Sequence, residues 1–368
     1  MLSYLEIDLI KIAENTKNLK KSIGQVKLLA VLKANAYGHG LLEVAKTVAK
    51  SGADYLGVNF IEEGLALRKA KITTPILIFG WPEPEQIPKA IEQNLTLSVF
   101  DQDTLREISK AGVRAGKPAK VHIKVETGLN RYGLMPKEVL DFFEYLKRTP
   151  KIELEGIYSH FASAESRDKS YTFKQLGAFQ KILENLRANK IKVPIKHIAN
   201  SAATLSMPST HFDMVRLGMT IYGLFPNPEL GAFFDLKPVL EFKSKITSLK
   251  KISGGERIGY SGSYLTQVPT TIAVVPVGYA DGYDRKLSNF AKVLIRGERA
   301  QVIGKVSMNA MMVDVSGIGD VKIGDEVVLI GKQHNQEITA GELAGLLGTI
   351  NREVIVRIPE NLPRIYKR

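Results

Sequence analysis

Between residues 28 and 226 the chain alternates short β-branched or apolar runs with amphipathic stretches of helical period, and few architectures satisfy that pattern. The runs are Leu28–Lys33, Tyr55–Val58, Ile76–Phe79, Leu95–Val99, Lys120–Val125, Leu154–Ser159, Ile195–Ala199 and Met214–Leu217. Helical text such as LLEVAKTVAK, IEEGLALRKA, DQDTLREISKAG, KEVLDFFEYLKR and KQLGAFQKILENLRANK lies between them, with Asp101 and Asp103 placed to cap the helix that follows. Strands separated by helical crossovers pair in parallel, and eight of them favour a closed (β/α)8 barrel over an open sheet.

The text changes at PNPELGAFFDLKP, residues 226–238, which reads as a linker. Beyond it period-2 runs dominate (LEFKSKITSLKKI, TTIAVVPVGYA, AKVLIRG, RAQVIGKVS, AMMVDVSG, DEVVLIG), interrupted by one helical stretch, TAGELAGLLGTI. The expected division is a barrel over residues 1–230 and a mostly-β domain over 231–368, with the opening YLEIDL as a strand able to pair with the second domain. The absence of cysteine excludes disulfides, Cys-ligated metal and thiol nucleophiles. Acidic Glu6 and Asp8 break the opening apolar stretch, so it does not read as a signal peptide, and no run approaches a membrane span; the expectation is a cytoplasmic protein with no membrane partner. The formal net charge of +13 raises nucleic acid as a partner, yet the lysines and arginines are scattered and interleaved with acids, which argues against a dedicated nucleic-acid surface.

In a barrel the active site forms at the C-terminal ends of the strands, and the unusual residues collect there. Lys33 ends the first strand in AVLKANAYGHG; it is either an exposed strand-end charge or an amine desolvated by apolar neighbours, which is what imine chemistry needs. Tyr37 follows four residues later, either as a half-buried core tyrosine or as a phenol offered to a phosphate. GHG at 38–40 lacks the third glycine of a dinucleotide fingerprint. The fifth strand ends in KVETGLNRYG, whose Lys124, Glu126 and Arg131 read most simply as a surface ion-pair cluster. Tyr158 and His160 in GIYSHFASA are two apart, on one strand face. In HIANSAAT, Asn200 and Ser201 open a helix, where free backbone N–H groups favour an anion. In VRLGMTIYG, Arg216 points in from a strand and Gly218 lets backbone approach a ligand.

Taken with GYSGSY, VPVGYADGY and GKVSMNAMMVDV, these strings stand in the order and spacing of bacterial alanine racemases, and the chain resembles that family from about residue 4 to the C-terminal LPRIY. The resemblance implies pyridoxal 5′-phosphate held as an aldimine on Lys33. Its phosphate would be taken by Tyr37, Ser201 and the backbone around Gly218 and Met219, with Asn200, His160 and His197 also in the cofactor site and Arg216 facing the pyridine nitrogen. His197 would orient Arg216, and His160 would sit between Arg216 and a second base. That base is implied to be Tyr260, reaching across a homodimer interface to the face of the substrate opposite Lys33. A phenol acts as a base near neutrality only beside positive groups, because its ordinary pKa is about 10. Arg131 and the partner chain's backbone near Met308 would hold the substrate carboxylate, Tyr279 would shape the approach to the site, and Lys124 would be open to carbamylation. The implied reaction interconverts L- and D-alanine and supplies D-alanine for peptidoglycan; no metal is implied.

Two positions depart from the family pattern. Asn309 stands where many relatives carry Asp, and Glu360 stands three residues before Pro363, where a tyrosine is expected, so small-residue specificity rests on less than the racemase reading does. Serine or broader racemase activity is the nearest alternative. A related barrel decarboxylase would need a cysteine and a glycine-rich phosphate loop, whereas GG occurs only at 254–255. A non-catalytic pyridoxal-phosphate-binding barrel would lack the second domain. A metal hydrolase has little support, because the six histidines at 39, 122, 160, 197, 211 and 334 show no ligand-like spacing.

Overall fold

In the computed structural model, which describes residues 1–225 and 235–368, eight parallel strands form one sheet. They are Lys27–Val31, Tyr55–Val58, Ile76–Ile78, Leu95–Val99, Ala119–Lys124, Ile152–Tyr158, Ile195–His197 and Met214–Leu217. Neighbours follow chain order, and the eighth returns beside the first with Lys27 opposite Met214 and Ala30 opposite Leu217. The Asp213 N–H donates to Lys196 O and the Arg216 N–H to Ala199 O, both at 3.0 Å, which nearly closes the barrel between the seventh and eighth strands. The strands read as near-continuous apolar runs because both faces are covered; every residue of the second, third, fourth and eighth is buried. Asp101 caps the helix Gln102–Arg114 by accepting from the Thr104 N–H, while Asp103 sits in its first turn.

The chain forms two compact units. One comprises Lys11–Ala36 and Leu41–Lys237 and contains the barrel; the other comprises Met1–Ile10, Tyr37–Gly40 and Pro238–Arg368. The expected boundary at 230/231 and residues 226–234 of the expected linker lie outside the described residues. In the second unit Tyr4–Asp8 pairs antiparallel with Leu240–Lys245 and parallel with Arg364–Lys367, inside a ten-stranded sheet. A two-stranded hairpin, Arg257–Ile258 with Tyr264–Leu265, stands apart from that sheet. Ile258, Ile272 and Ile303 form a core there, against which Ile252, Tyr264 and Met312 pack. The helix expected in TAGELAGLLGTI spans Ala340–Leu347, capped by Thr339 and stopped by left-handed Gly348. Among the described residues no helix is long and apolar enough to cross a membrane.

Two expectations at strand ends are corrected. Lys33 does not end the first strand: pairing stops at Val31, and Lys33 opens a turn in which Ala34, Asn35, Ala36 and Tyr37 all have φ between 52° and 55°. The Ala36 N–H donates to Leu32 O at 2.7 Å, so this is one turn of left-handed helix built without glycine. His160 lies beyond the sixth strand, which ends at Tyr158, so the two residues do not share a strand face.

Candidate active site

The barrel's polar centre is built around Arg216, third residue of the eighth strand and only 4% exposed. Its Nη1–H donates to His197 Nδ1 at 2.7 Å; its Nη2 donates to Ser159 O at 2.7 Å and to His160 Nδ1 and Ile198 O at 3.0 Å. Burial lowers its pKa to about 10, which still leaves it charged near neutrality. A guanidinium only donates, so both ring nitrogens that face it carry lone pairs. Burial and the Arg216 charge hold His160 and His197 well below the usual imidazole range, and both are neutral. The Tyr158 ring stacks on His197 with centroids 4.9 Å apart, and its hydroxyl bonds Ser98 Oγ at 2.8 Å.

Lys124, last in the fifth strand, is 5% exposed. Burial first, then the charges of Arg131 and Arg216, bring its amine down to about 7, with Lys33 pushing the same way and Glu126 opposing. The amine stands 5.2 Å from the Tyr132 ring centroid and 5.5 Å from that of Tyr158. The expected surface ion-pair cluster does not form. Glu126 instead accepts backbone N–H bonds from Gly128 at 2.5 Å and Arg131 at 3.2 Å, and so shapes the loop that carries Arg131.

The remaining barrel candidates gather after the seventh and eighth strands. Asn200 is committed to capping: its side chain accepts from the Ala203 N–H at 3.0 Å and its carbonyl from the Thr204 N–H at 2.8 Å. Ser201 Oγ accepts from the Gly218 N–H at 3.1 Å and from the Thr220 hydroxyl at 3.2 Å, which leaves its own hydrogen to give. Met219 opens the short helical turn after Gly218.

In the second unit, Tyr37 has its phenol pushed up by burial, with Arg352 pulling against it, so it stays a donor. Tyr260 is 66% exposed at the tip of the hairpin, between Gly259 at φ 71° and Ser261 at φ 59°. The Tyr279 and Met308 segments are braced together: the Tyr279 N–H donates to Ser307 O at 3.0 Å and the Ala280 N–H to Met308 O at 2.9 Å. Gly278 is required there, since a Cβ would fall 2.1 Å from Ser307 O. Asn309 donates to Asp281 at 3.3 Å, a bond that an aspartate in its place would replace by repulsion. Glu360 is exposed, and its carbonyl accepts from Arg364 at 3.0 Å.

Two residues that sequence reasoning did not single out complete the barrel network. His122 and Glu155 continue it inward from His197, and strand text gave no local signal for them. No group of three acidic or histidine side chains able to hold a metal occurs among the described residues. The donor set does suit a pyridine cofactor bearing a phosphate. Both Nη groups of Arg216 are held by the protein and, among the described residues, no acceptor meets Nε–H, a donor that suits a ring nitrogen, while the Ser201 hydroxyl suits an anion.

The fold and these residues together define a (β/α)8-barrel enzyme with a cationic, desolvated site at the C-terminal strand ends and an accompanying mostly-β unit. Comparison with known proteins narrows the class. Residues 7–226 match the family described as alanine racemase, N-terminal domain, and residues 239–366 match alanine racemase, C-terminal domain. The chain is 42% identical to the alanine racemase of Halothermothrix orenii, over 99% of this chain and 97% of the relative. It is 41% identical to alanine racemase 1 of Caldanaerobacter subterraneus, over 98% and 94%. The crystal structure of the Bacillus anthracis alanine racemase with bound L-Ala-P matches with a TM-score of 0.94 at 38% identity, covering 100% of this chain and 95% of that one. The chain belongs to the alanine racemase family.

Proposed function

We propose that this chain interconverts L-alanine and D-alanine with pyridoxal 5′-phosphate as cofactor, and that it acts as a cytoplasmic homodimer supplying D-alanine for peptidoglycan. The observation that carries the reading is Arg216, a charged guanidinium whose two Nη groups are held by the protein and whose Nε–H meets no acceptor among the described residues. When bound, the cofactor supplies a sink for the electron pair left behind by the α-proton. Lys33 anchors it, and Tyr37, Ser201 and the Gly218–Met219 backbone take its phosphate. Arg216 would donate to the ring nitrogen while keeping its own proton, so the sink that the group supplies would be weak and return of the proton to the α-carbon would be favoured. Lys33 Nζ exchanges a proton on one face of the substrate and Tyr260 Oη on the other, while Arg131 and the backbone near Met308 hold the carboxylate. Lys124 becomes a carbamate: its neutral amine forms a bond to the carbon of CO2 and releases a proton, which leaves an anion beside Arg131.

Chiral analysis of the holoenzyme with L-alanine, and with L-serine in parallel, tests the reading. Equal D- and L-alanine at the end with slow serine turnover supports it; no D-isomer from either substrate overturns it. Tyr260→Phe sharpens the assignment. Enantiomers have equal free energy, so kcat/KM must fall equally in both directions, by about 100-fold. Exchange of the α-hydrogen with solvent should persist for the one enantiomer whose proton Lys33 takes. Near-wild-type rates in this variant would remove Tyr260 from the mechanism.

A further inference from the structure

The hydrogen-bond chain that begins at Arg216 does not stop at His197. His197 Nε2 lies 2.9 Å from His122 Nδ1, and His122 Nε2 lies 3.1 Å from Glu155 Oε2. Both imidazoles have no exposed surface. Glu155 also accepts from the Thr96 hydroxyl at 3.0 Å, bonds the Tyr55 hydroxyl, and stands 3.5 Å from Lys120 Nζ. The chain runs from His197, last in the seventh strand, through His122 to Glu155 at the middle of the sixth, while Thr96, Tyr55 and Lys120 around the carboxylate lie in the N-terminal halves of their strands, away from the catalytic rim.

Only one placement of protons satisfies the chain. The Arg216 Nη1–H requires a lone pair on His197 Nδ1. Neutral His197 then carries its proton on Nε2 and donates to His122 Nδ1. His122 in turn carries Nε2–H and donates to a carboxylate, which can only accept. Burial keeps both imidazoles neutral. Burial would raise Glu155, but the bonds from His122 and Thr96 and the charge of Lys120 outweigh it and keep the carboxyl ionised, well below the usual carboxylate range. The sequence of donors is therefore fixed from its ionised end.

Two features of the sixth strand serve this seating. Its pairing with the fifth jumps from Val121↔Leu154 to His122↔Gly156, so Glu155 is the extra residue of a bulge in a parallel ladder, where bulges are rare. At Gly156 a Cβ would fall 2.6 Å from both Cε1 and Nδ1 of His122, so no other residue leaves room for the ring.

We propose that Glu155 is a positioning residue for the reaction, which through His122 and His197 imposes the tautomer that presents a lone pair to Arg216. The proposal rests on the reading that Arg216 serves the cofactor. Without the carboxylate, both imidazoles are free to invert, and His197 Nδ1–H would then face the Arg216 donor across 2.7 Å.

The test compares wild-type holoenzyme with Glu155→Gln and Glu155→Leu by 15N NMR of labelled histidine and by steady-state kinetics. Wild type should show His122 and His197 protonated at Nε2 and bare at Nδ1. Glu155→Gln, whose amide oxygen still accepts, should keep those tautomers and kcat within about threefold. Glu155→Leu should protonate His197 Nδ1 and lower kcat by about tenfold or more, with KM within about twofold. Nδ1-protonated His197 in the wild type overturns the proposal, as does Glu155→Leu with native tautomers or native kcat. If Glu155→Leu fails to fold, the wild-type and Glu155→Gln spectra still decide. If the wild type does not racemise alanine, the functional reading fails while the spectra judge the relay separately.

Discussion

Lys124 and Arg216 show how one barrel wall treats two cations differently. Arg216 has an acceptor for each Nη group, so it keeps its proton at a pKa of about 10. Lys124 is buried and feels the charges of Arg131 and Arg216 more than that of Glu126, so its amine falls to about 7. Above that pH the amine is neutral and nucleophilic; below it the added proton blocks attack on CO2. Enzyme equilibrated with 13C-bicarbonate should therefore show a carbamate signal that grows as pH rises through 7 and is absent from Lys124→Met. A signal that persists in Lys124→Met, or one that is absent at pH 8.5 in the wild type, would exclude this site. An Arg216→Lys exchange would not be conservative, because a single ammonium cannot replace the fork of donors that meets His197, His160 and two carbonyls.

At the scale of elements, the turn after Lys33 concentrates strain. Four non-glycine residues in the left-handed region cost about 1–2 kcal/mol each, and such strain persists only where the surroundings enforce it. Ala34 is exposed, so Ala34→Gly loses little packing. Relief of strain less the extra entropy of an unfolded glycine leaves a gain of about 0.5–1 kcal/mol, or roughly 2 °C in Tm. Thermal unfolding that shifts down instead would show that the turn is unstrained at this residue. The bulge at Glu155 is the other local departure from regularity, and the periodicity of the sixth strand gives no hint of it.

At the scale of the molecule, the two units carry different parts of the proposed machinery. Lys33, Lys124, Arg131, His160 and Arg216 belong to the barrel unit, whereas Tyr260, Tyr279 and Met308 belong to the other and are all exposed. A homodimer that shares its sites predicts complementation. Lys33→Ala and Tyr260→Ala should each be inactive alone. Dissociated and reassociated together, they should regain about a quarter of wild-type activity, because half the dimers are mixed and each has one intact site. No recovery despite demonstrated subunit exchange would place Lys33 and Tyr260 of each site on the same chain.

The alternation of strand and helix period was enough to define a parallel sheet covered on both faces, and the count of eight strands favoured its closure into a barrel over an open sheet. The resemblance to alanine racemases, rather than residue chemistry alone, singled out Lys33, Arg216 and Tyr260, since by itself Lys33 reads equally as an exposed charge and Tyr260 as a turn tyrosine beside glycines. Backbone conformation and long-range pairing were not legible in the same way. Little in KANAY announces a left-handed turn, because asparagine visits that region only as a single residue and alanine adopts it only under tertiary constraint. Glu126 looked like half of an ion pair until the fold turned it toward backbone N–H groups. His122, Glu155 and His197 come from three strands spread over 76 residues and meet only when the sheet curls. Sequence determined which chemistries this protein carries; tertiary structure decided which lone pair faces which proton, because that depends on distances of a few ångströms between residues remote in the chain.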